Sequence, residues 1–109
     1  MPASPHHNVY VVNLSPDALS DRAFAAANPH RRPDKPCLYV GMTGLSPEQR
    51  FENHRNGIKA ARLVRRYGLG LWRQKYEHLN PMTYEQAQVK ERELARILRP
   101  VILRRAHGV

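Results

Sequence analysis

The sequence predicts one small domain of the mixed α/β class, and three observations support this prediction. The chain has 109 residues, enough for one hydrophobic core and too few for two. Hydrophobic residues make up 41% of the chain and charged residues 25%, a balance typical of a folded protein. Segments rich in β-branched residues alternate with segments that carry helix-start signals, which gives the order β, α, β, α, α, β, α. We expect a single domain over residues 1–109, with its core in roughly residues 8–100.

The first half of the chain is expected to form two strands separated by a helix and a loop. Residues 9–14 are rich in β-branched and aromatic side chains, which predicts a strand. The Ser-Pro pair at 15–16 is a typical helix start, so residues 17–27 are expected to be helical. Three prolines in residues 28–36 predict a loop. Residues 37–41 then form a second strand, which could pair antiparallel with the first.

The second half of the chain is expected to contain three helices and one strand. A Ser-Pro pair at 46–47 with Gln49 at the capping-box position starts the first of these helices, and Gly57 can end it. A second capping-box pattern at 83–86 starts the last helix, with Pro100 beyond its end. The predicted elements are helices over residues 47–56, 59–67 and 84–99 and a strand over residues 69–72.

The charge distribution predicts a polyanionic partner. The chain has eighteen basic and nine acidic residues, which gives a formal net charge of +9. Residues 1–47 carry four basic and three acidic side chains, a net +1, whereas residues 48–109 carry 14 and six, a net +8. Arginine dominates, and its planar guanidinium suits bidentate contact with phosphates. Nucleic acid is the expected partner, although a basic surface with no specific ligand would have the same composition.

Composition also argues against several classes of protein. No stretch approaches the run of about 18 apolar residues that a membrane span needs, so no membrane partner is expected. The first seven residues lack the basic start and apolar stretch of a signal peptide. A single cysteine excludes an internal disulfide, and the six histidines show no metal-ligand spacing. We therefore expect a cytoplasmic protein without zinc.

Glu91 is the most informative single residue. On a helical wheel it lies in the middle of the apolar stripe of the last predicted helix, whose members within about 60° are Ala87, Leu94, Ala95 and Leu98. A carboxylate in a buried stripe is costly unless it is paired with a cation or binds a metal. The sequence leaves two interpretations open, an ion pair with an arginine from another element and a metal-binding or catalytic carboxylate.

Four further side chains could belong to the same site. Arg50 and His54 are spaced i, i+4 and share a face of the helix that follows the strand–glycine turn at 39–44. Such a pair is often solvent-exposed and without a specific role, but active sites commonly lie where a strand end meets a helix start. Tyr10 and Tyr39 lie in the two strands expected to pair, although tyrosine is also simply a good strand residue.

Taken in order, these motifs resemble the GIY-YIG nuclease family. The resemblance spans roughly residues 8–100, and no single motif in it is specific. The matching segments are Asn8-Val9-Tyr10 for the first motif, Tyr39-Val40-Gly41 followed by Thr43 for the second, Arg50 and His54 on the next helix, Gly57 before a basic stretch, and Ala87 four residues before Glu91.

The resemblance implies a fold and a chemistry. The family fold is a three-stranded antiparallel sheet flanked by helices, and its members hydrolyse phosphodiesters with one divalent cation. Carried over, Glu91 would bind Mg²⁺ or Mn²⁺, and Arg50 would stabilise charge developing on the phosphoryl oxygens. Tyr10 or Tyr39 would act as, or position, the general base for the attacking water, and His54 could assist that deprotonation.

This chain departs from the family pattern at three places. Asn8 replaces the first glycine, and residues 15–36 make the gap between the two tyrosine strands longer than in compact members. Met42 stands where several relatives have a lysine that helps to deprotonate a tyrosine or water. Which tyrosine would be the base therefore stays open.

These observations together predict a divalent-metal-dependent endonuclease that acts on DNA. RNA is the alternative substrate. The alternative functions are a catalytically inactive nucleic-acid-binding module of the same fold and a small basic interaction protein. Targeting would come from a protein partner or from direct recognition of branched or single-stranded structure. The expected nucleic-acid contacts are Thr43, Lys59, Arg62, Arg65 and Arg66.

Overall fold

The computed structural model describes residues 5–98 and, as backbone only, residues 101–103. The strands are β1 (Asn8–Leu14), β2 (Cys37–Thr43), β3 (Gly68–Leu71) and β4 (Val101–Leu103). The α-helices are α1 (Arg22–Ala27), α2 (Pro47–Arg55), α3 (Arg62–Tyr67) and α4 (Tyr84–Ile97). Short 3-10 turns cover Pro16–Ser20, Arg73–Lys75 and Glu77–Leu79.

The strands form one sheet in the order β3-β1-β2-β4. β1 pairs antiparallel with β2 along its whole length and with β3 on its other side. The structure therefore confirms a mixed α+β domain with a three-stranded antiparallel sheet and flanking helices. β4 adds a fourth strand, which pairs parallel with β2.

β2 lies inside the sheet, and every one of its seven residues is buried. Helix α4 packs against β1 and β2. Its buried residues are Ala87, Glu91, Leu94 and Ala95, which confirms that Glu91 lies on the core-facing side of the helix. Among the described residues, no helix combines the length and apolar character that crossing a bilayer requires.

Two predicted helices differ from the observed ones for local reasons. The prediction of one helix over residues 17–27 is wrong, because Asp21 is extended and its side chain caps a new helix by accepting from the Ala23 N–H at 3.0 Å. The helix predicted to start at residue 59 starts at Arg62, since Lys59 has a φ of 48° that no α-helix accommodates. The last helix ends at Ile97, and its predicted end at residue 99 lies outside the described residues.

Candidate active site

Tyr10 and Tyr39 lie on the same face of the sheet, on adjacent strands. Tyr10 of β1 is opposite Gly41 of β2, and Tyr39 of β2 is opposite Val12 of β1. Because cross-strand partners share a face and side chains alternate along a strand, this register places both tyrosines on one side. Their ring centroids are 6.1 Å apart, with the ring planes at 38°.

Gly41 is the position that allows Tyr10 to lie across β2. A Cβ atom built on Gly41 would lie 2.6 Å from both Cζ and Oη of Tyr10, closer than atoms can approach without a shift. Tyr10 is only 1% exposed, so its rigid ring has little room to move aside. The absence of a side chain at Gly41 thus allows the Tyr10 hydroxyl to occupy its position over β2.

Replacing Gly41 with alanine is expected to lower the free energy of unfolding by about 1–3 kcal/mol, the usual cost of overpacking a well-packed core. Denaturant unfolding measures this loss. Gly70→Ala in β3 is the matched control, because a Cβ there would meet nothing within 4 Å. Equal stability of the two variants would contradict the tight fit between Gly41 and Tyr10.

His54 of α2 completes a cluster with the two tyrosines. Its ring centroid lies 6.0 Å from that of Tyr10 and 5.7 Å from that of Tyr39, the latter edge-on. Its Nε2 atom lies 2.8 Å from Tyr10 Oη, and its Nδ1 atom accepts a hydrogen bond from the backbone N–H of Ala61 at 3.0 Å. Burial and, secondarily, the positive charge of Arg50 lower the pKa of His54 to about 4, so its imidazole is neutral near pH 7.

Arg50 lies one helical turn before His54 and holds the loop between α2 and α3. Its Nη1 and Nη2 atoms donate to the carbonyl oxygens of Ile58 and Lys59, at 3.3 and 2.9 Å. Together with the bond between Ala61 and His54, these contacts attach the loop to α2 in its middle and at its C-terminal end. Arg50 and Lys59 also separate two surface clefts of about 430 and 510 Å³, because both residues line each cleft.

The five expected nucleic-acid contacts occupy different environments. Lys59 lines both clefts, whereas Thr43 and Arg62 each line one. Thr43 is buried and its hydroxyl accepts from the Leu45 N–H at 3.0 Å. The guanidinium of Arg65 lies beside Gly57, and that of Arg66 lies over the Tyr67 ring at 5.5 Å.

Arg62 has a structural contact that the sequence did not indicate. Its two terminal nitrogens each donate to Asp21 at 2.9 Å, and Tyr67 Oη donates to the same carboxylate at 3.2 Å. The Arg62 hydrogen bonds hold the pKa of Asp21 well below its usual range, so the carboxylate stays charged. This pair fastens the segment between β1 and β2 to α3.

Glu91 is fully buried on α4, with no exposed surface. Its carboxylate supplies the hard oxygen donors that Mg²⁺ and Mn²⁺ prefer, and Mg²⁺ is commonly held by one or two carboxylates with several waters. Within the described part of the chain, no three His, Cys, Asp or Glu side chains lie close enough to hold a metal ion together. Because Glu91 has no exposed surface, a hydrated divalent ion could reach its carboxylate only if the groups that cover it moved.

The structure thus brings three of the five predicted catalytic residues into direct contact: Tyr10, Tyr39 and His54. Arg50 adjoins them through its position on α2 and its effect on the pKa of His54. Glu91 lies on a different element, helix α4, which packs on β1 and β2, the two strands that carry the tyrosines. Sequence reasoning missed Ala61, whose contribution is a backbone N–H and leaves no signal in the residue type.

Comparisons with protein-family models, with curated proteins and with solved structures found no match for this chain. The resemblance to the GIY-YIG family accordingly rests on the motifs quoted above.

Proposed function

We propose that this protein is a divalent-metal-dependent endonuclease that hydrolyses phosphodiester bonds in DNA. The observation that carries the proposal is the contact of Tyr10, Tyr39 and His54, three residues predicted to act together and located on three separate elements. The hydroxyl of Tyr10 lies within hydrogen-bond distance of a buried neutral imidazole. This arrangement is suited to controlling a proton on a phenol oxygen.

In the proposed reaction Tyr10 is the general base. A free phenol ionises near pH 10, so the base form needs help from its surroundings. An N–H of His54 directed at Tyr10 Oη would stabilise the phenolate. When the cluster opens, the phenol proton of Tyr10 first passes to solvent. The phenolate oxygen then takes a proton from a water molecule, the resulting hydroxide attacks phosphorus, and the bond from phosphorus to the leaving sugar oxygen breaks. Solvent then supplies the proton that the leaving oxygen needs.

Arg50 would stabilise the negative charge that develops on the phosphoryl oxygens. A guanidinium has five N–H donors. Two of those of Arg50 bond the carbonyl oxygens of Ile58 and Lys59, which leaves others for a phosphate. Donors aimed at developing charge contribute strongly in a site that excludes water. Glu91 would hold the divalent ion, which would supply Lewis-acid polarisation of the phosphate when bound.

The charge around the two clefts supports a nucleic-acid substrate. Residues 50–66 contain six basic side chains and one acidic side chain, Glu52. Arg50 and Lys59 stand between the two clefts, where a phosphate backbone crossing from one cleft to the other would meet them. Binding of this kind is dominated by phosphate contacts, so it weakens as salt concentration rises.

Cleavage requires the cluster to open. Tyr10 is 1% exposed, and Tyr39, His54 and Glu91 have no exposed surface, so a substrate atom cannot touch them in this conformation. The α2–α3 loop is a surface segment that is bonded directly to the cluster, through Ala61 and His54. Lids that close over an active site and exclude water are common in enzymes.

Arg50→Ala tests the proposal in a plasmid-nicking assay with Mg²⁺ or Mn²⁺. Loss of a donor to the transition state typically lowers the rate by about 10²–10³-fold, so we expect folded protein that binds DNA and barely cleaves it. Arg55→Ala is the matched control, because it removes the same charge from the exposed side of the same helix. Near-normal nicking by Arg50→Ala would contradict the role given to Arg50.

The burial of the cluster also favours a second candidate, a nucleic-acid-binding module of this fold without turnover. Such a module would keep the basic clefts and the packed tyrosines but would need no opening. Salt-dependent DNA binding without nicking, under both metals and at several pH values, would identify it.

A further inference from the structure

We propose that the backbone N–H of Ala61 fixes His54 as the tautomer that carries its hydrogen on Nε2, so that His54 donates to Tyr10 and positions its hydroxyl. Two described contacts carry this inference, one on each nitrogen of the imidazole ring. The role in cleavage rests on the proposed function, whereas the tautomer itself does not.

The contact at Nδ1 determines which nitrogen bears the hydrogen. A backbone N–H can only donate, and Ala61 N lies 3.0 Å from His54 Nδ1, so Nδ1 must accept with its lone pair. A neutral imidazole whose Nδ1 accepts carries its hydrogen on Nε2. The low pKa of His54 supports a neutral ring.

The contact at Nε2 then has a defined direction. Nε2 lies 2.8 Å from Tyr10 Oη, so the imidazole N–H donates and the phenol oxygen accepts. The proton of Tyr10 consequently points away from His54, and His54 is not arranged to remove it. His54 would instead stabilise the phenolate oxygen after the phenol proton has passed to solvent.

The local backbone explains why Ala61 is free to serve as this donor. Ala61 is the N-cap of α3, so its N–H has no acceptor inside that helix. The positive φ of Lys59 turns the loop, and Arg50 holds the carbonyls of Ile58 and Lys59. These contacts direct the Ala61 N–H toward the interior.

Ala61→Pro removes the donor, and because its Cδ takes the place of the amide hydrogen, the His54 ring must also shift away from residue 61. Ala61 has a φ of −72°, which proline adopts without strain. Ala61→Gly is the matched control, because it removes the side chain and keeps the N–H. The readout is the ¹⁵N chemical shift of each imidazole nitrogen in long-range ¹H–¹⁵N spectra, with His54 assigned by its loss in His54→Gln.

We expect the wild type and Ala61→Gly to show hydrogen on Nε2, and Ala61→Pro to show shifts that move toward the average of both tautomers. Hydrogen on Nδ1 in the wild type, or an unchanged tautomer in Ala61→Pro, would overturn the proposal. Tyr10→Phe is a second variant that keeps the packed ring. If Ala61 sets the tautomer, Tyr10→Phe retains hydrogen on Nε2, and a switch to Nδ1 in this variant would overturn the proposal as well.

Cleavage kinetics test the positioning role. Ala61→Pro is expected to lower kcat by roughly 10-fold relative to Ala61→Gly, which keeps the N–H, as when a group that orients a catalytic residue is lost. An unchanged kcat would overturn the positioning role. A wild type that never cleaves DNA would refute the proposed function, while the ¹⁵N spectra would still decide the tautomer.

Discussion

Replacing Glu91 with glutamine is expected to abolish divalent-dependent cleavage while leaving the metal-free protein at least as stable. A bound metal ion stabilises transition-state charge by several kcal/mol, so loss of its ligand should lower the rate by about 10³-fold or more. Glutamine keeps the shape of the side chain and removes a charge that is costly at a position with no exposed surface. Plasmid nicking measures the loss of cleavage, and calorimetric titration with Mn²⁺ measures the loss of metal binding.

Glu93→Gln is the matched control for this prediction. Glu93 lies on the same helix, is partly exposed, and forms a 3.3 Å ion pair with Lys90, so its neutralisation should change neither cleavage nor Mn²⁺ binding. A thermal melt without metal separates function from architecture. A fall of several degrees in Tm for Glu91→Gln, with cleavage retained, would show that Glu91 has a structural role instead.

Acid is expected to destabilise the protein through His54 as the pH falls from about 6.5 toward about 4. Unfolded His54 takes up a proton below about pH 6.5, whereas folded His54 stays neutral down to about pH 4. The unfolded state therefore binds more protons in this window, and stability, complete above pH 6.5, falls as the pH decreases through it. The difference in pKa corresponds to about 3 kcal/mol of unfolding free energy.

Urea unfolding at about pH 7 and about pH 4.5 measures this loss. Asp21 does not contribute in this range, because its pKa is held well below the usual value and its stabilising charge is lost only in stronger acid. His54→Gln should remove most of the pH dependence, whereas His78→Gln, a change at an exposed histidine, should leave it intact. Equal stability at both pH values would contradict the buried neutral state of His54.

Much of the fold could be predicted because its signals are local. The cap residues Ser46 and Thr83 lie where the sequence placed them, and each accepts the expected backbone hydrogen bond, from Gln49 at 3.1 Å and from Gln86 at 3.2 Å. Gly57 ends α2 with a φ of 77°, as its position suggested. The antiparallel pairing of the first two strands is confirmed as well.

The break at Asp21 was missed because alanine-rich flanks favour a continuous helix, while an N-cap aspartate acts through one side chain.

The sequence by itself determined which residues share a face, because the repeats of helices and strands are fixed by backbone geometry. It placed Glu91 on a buried stripe and put Arg50 and His54 on one helix face. Only the tertiary structure decided which groups meet. Tyr10 and His54 are 44 positions apart in the sequence. The group that we propose to fix the tautomer of His54 is the backbone N–H of Ala61. Every residue except proline has that N–H, so its direction depends on how the loop folds and not on residue type.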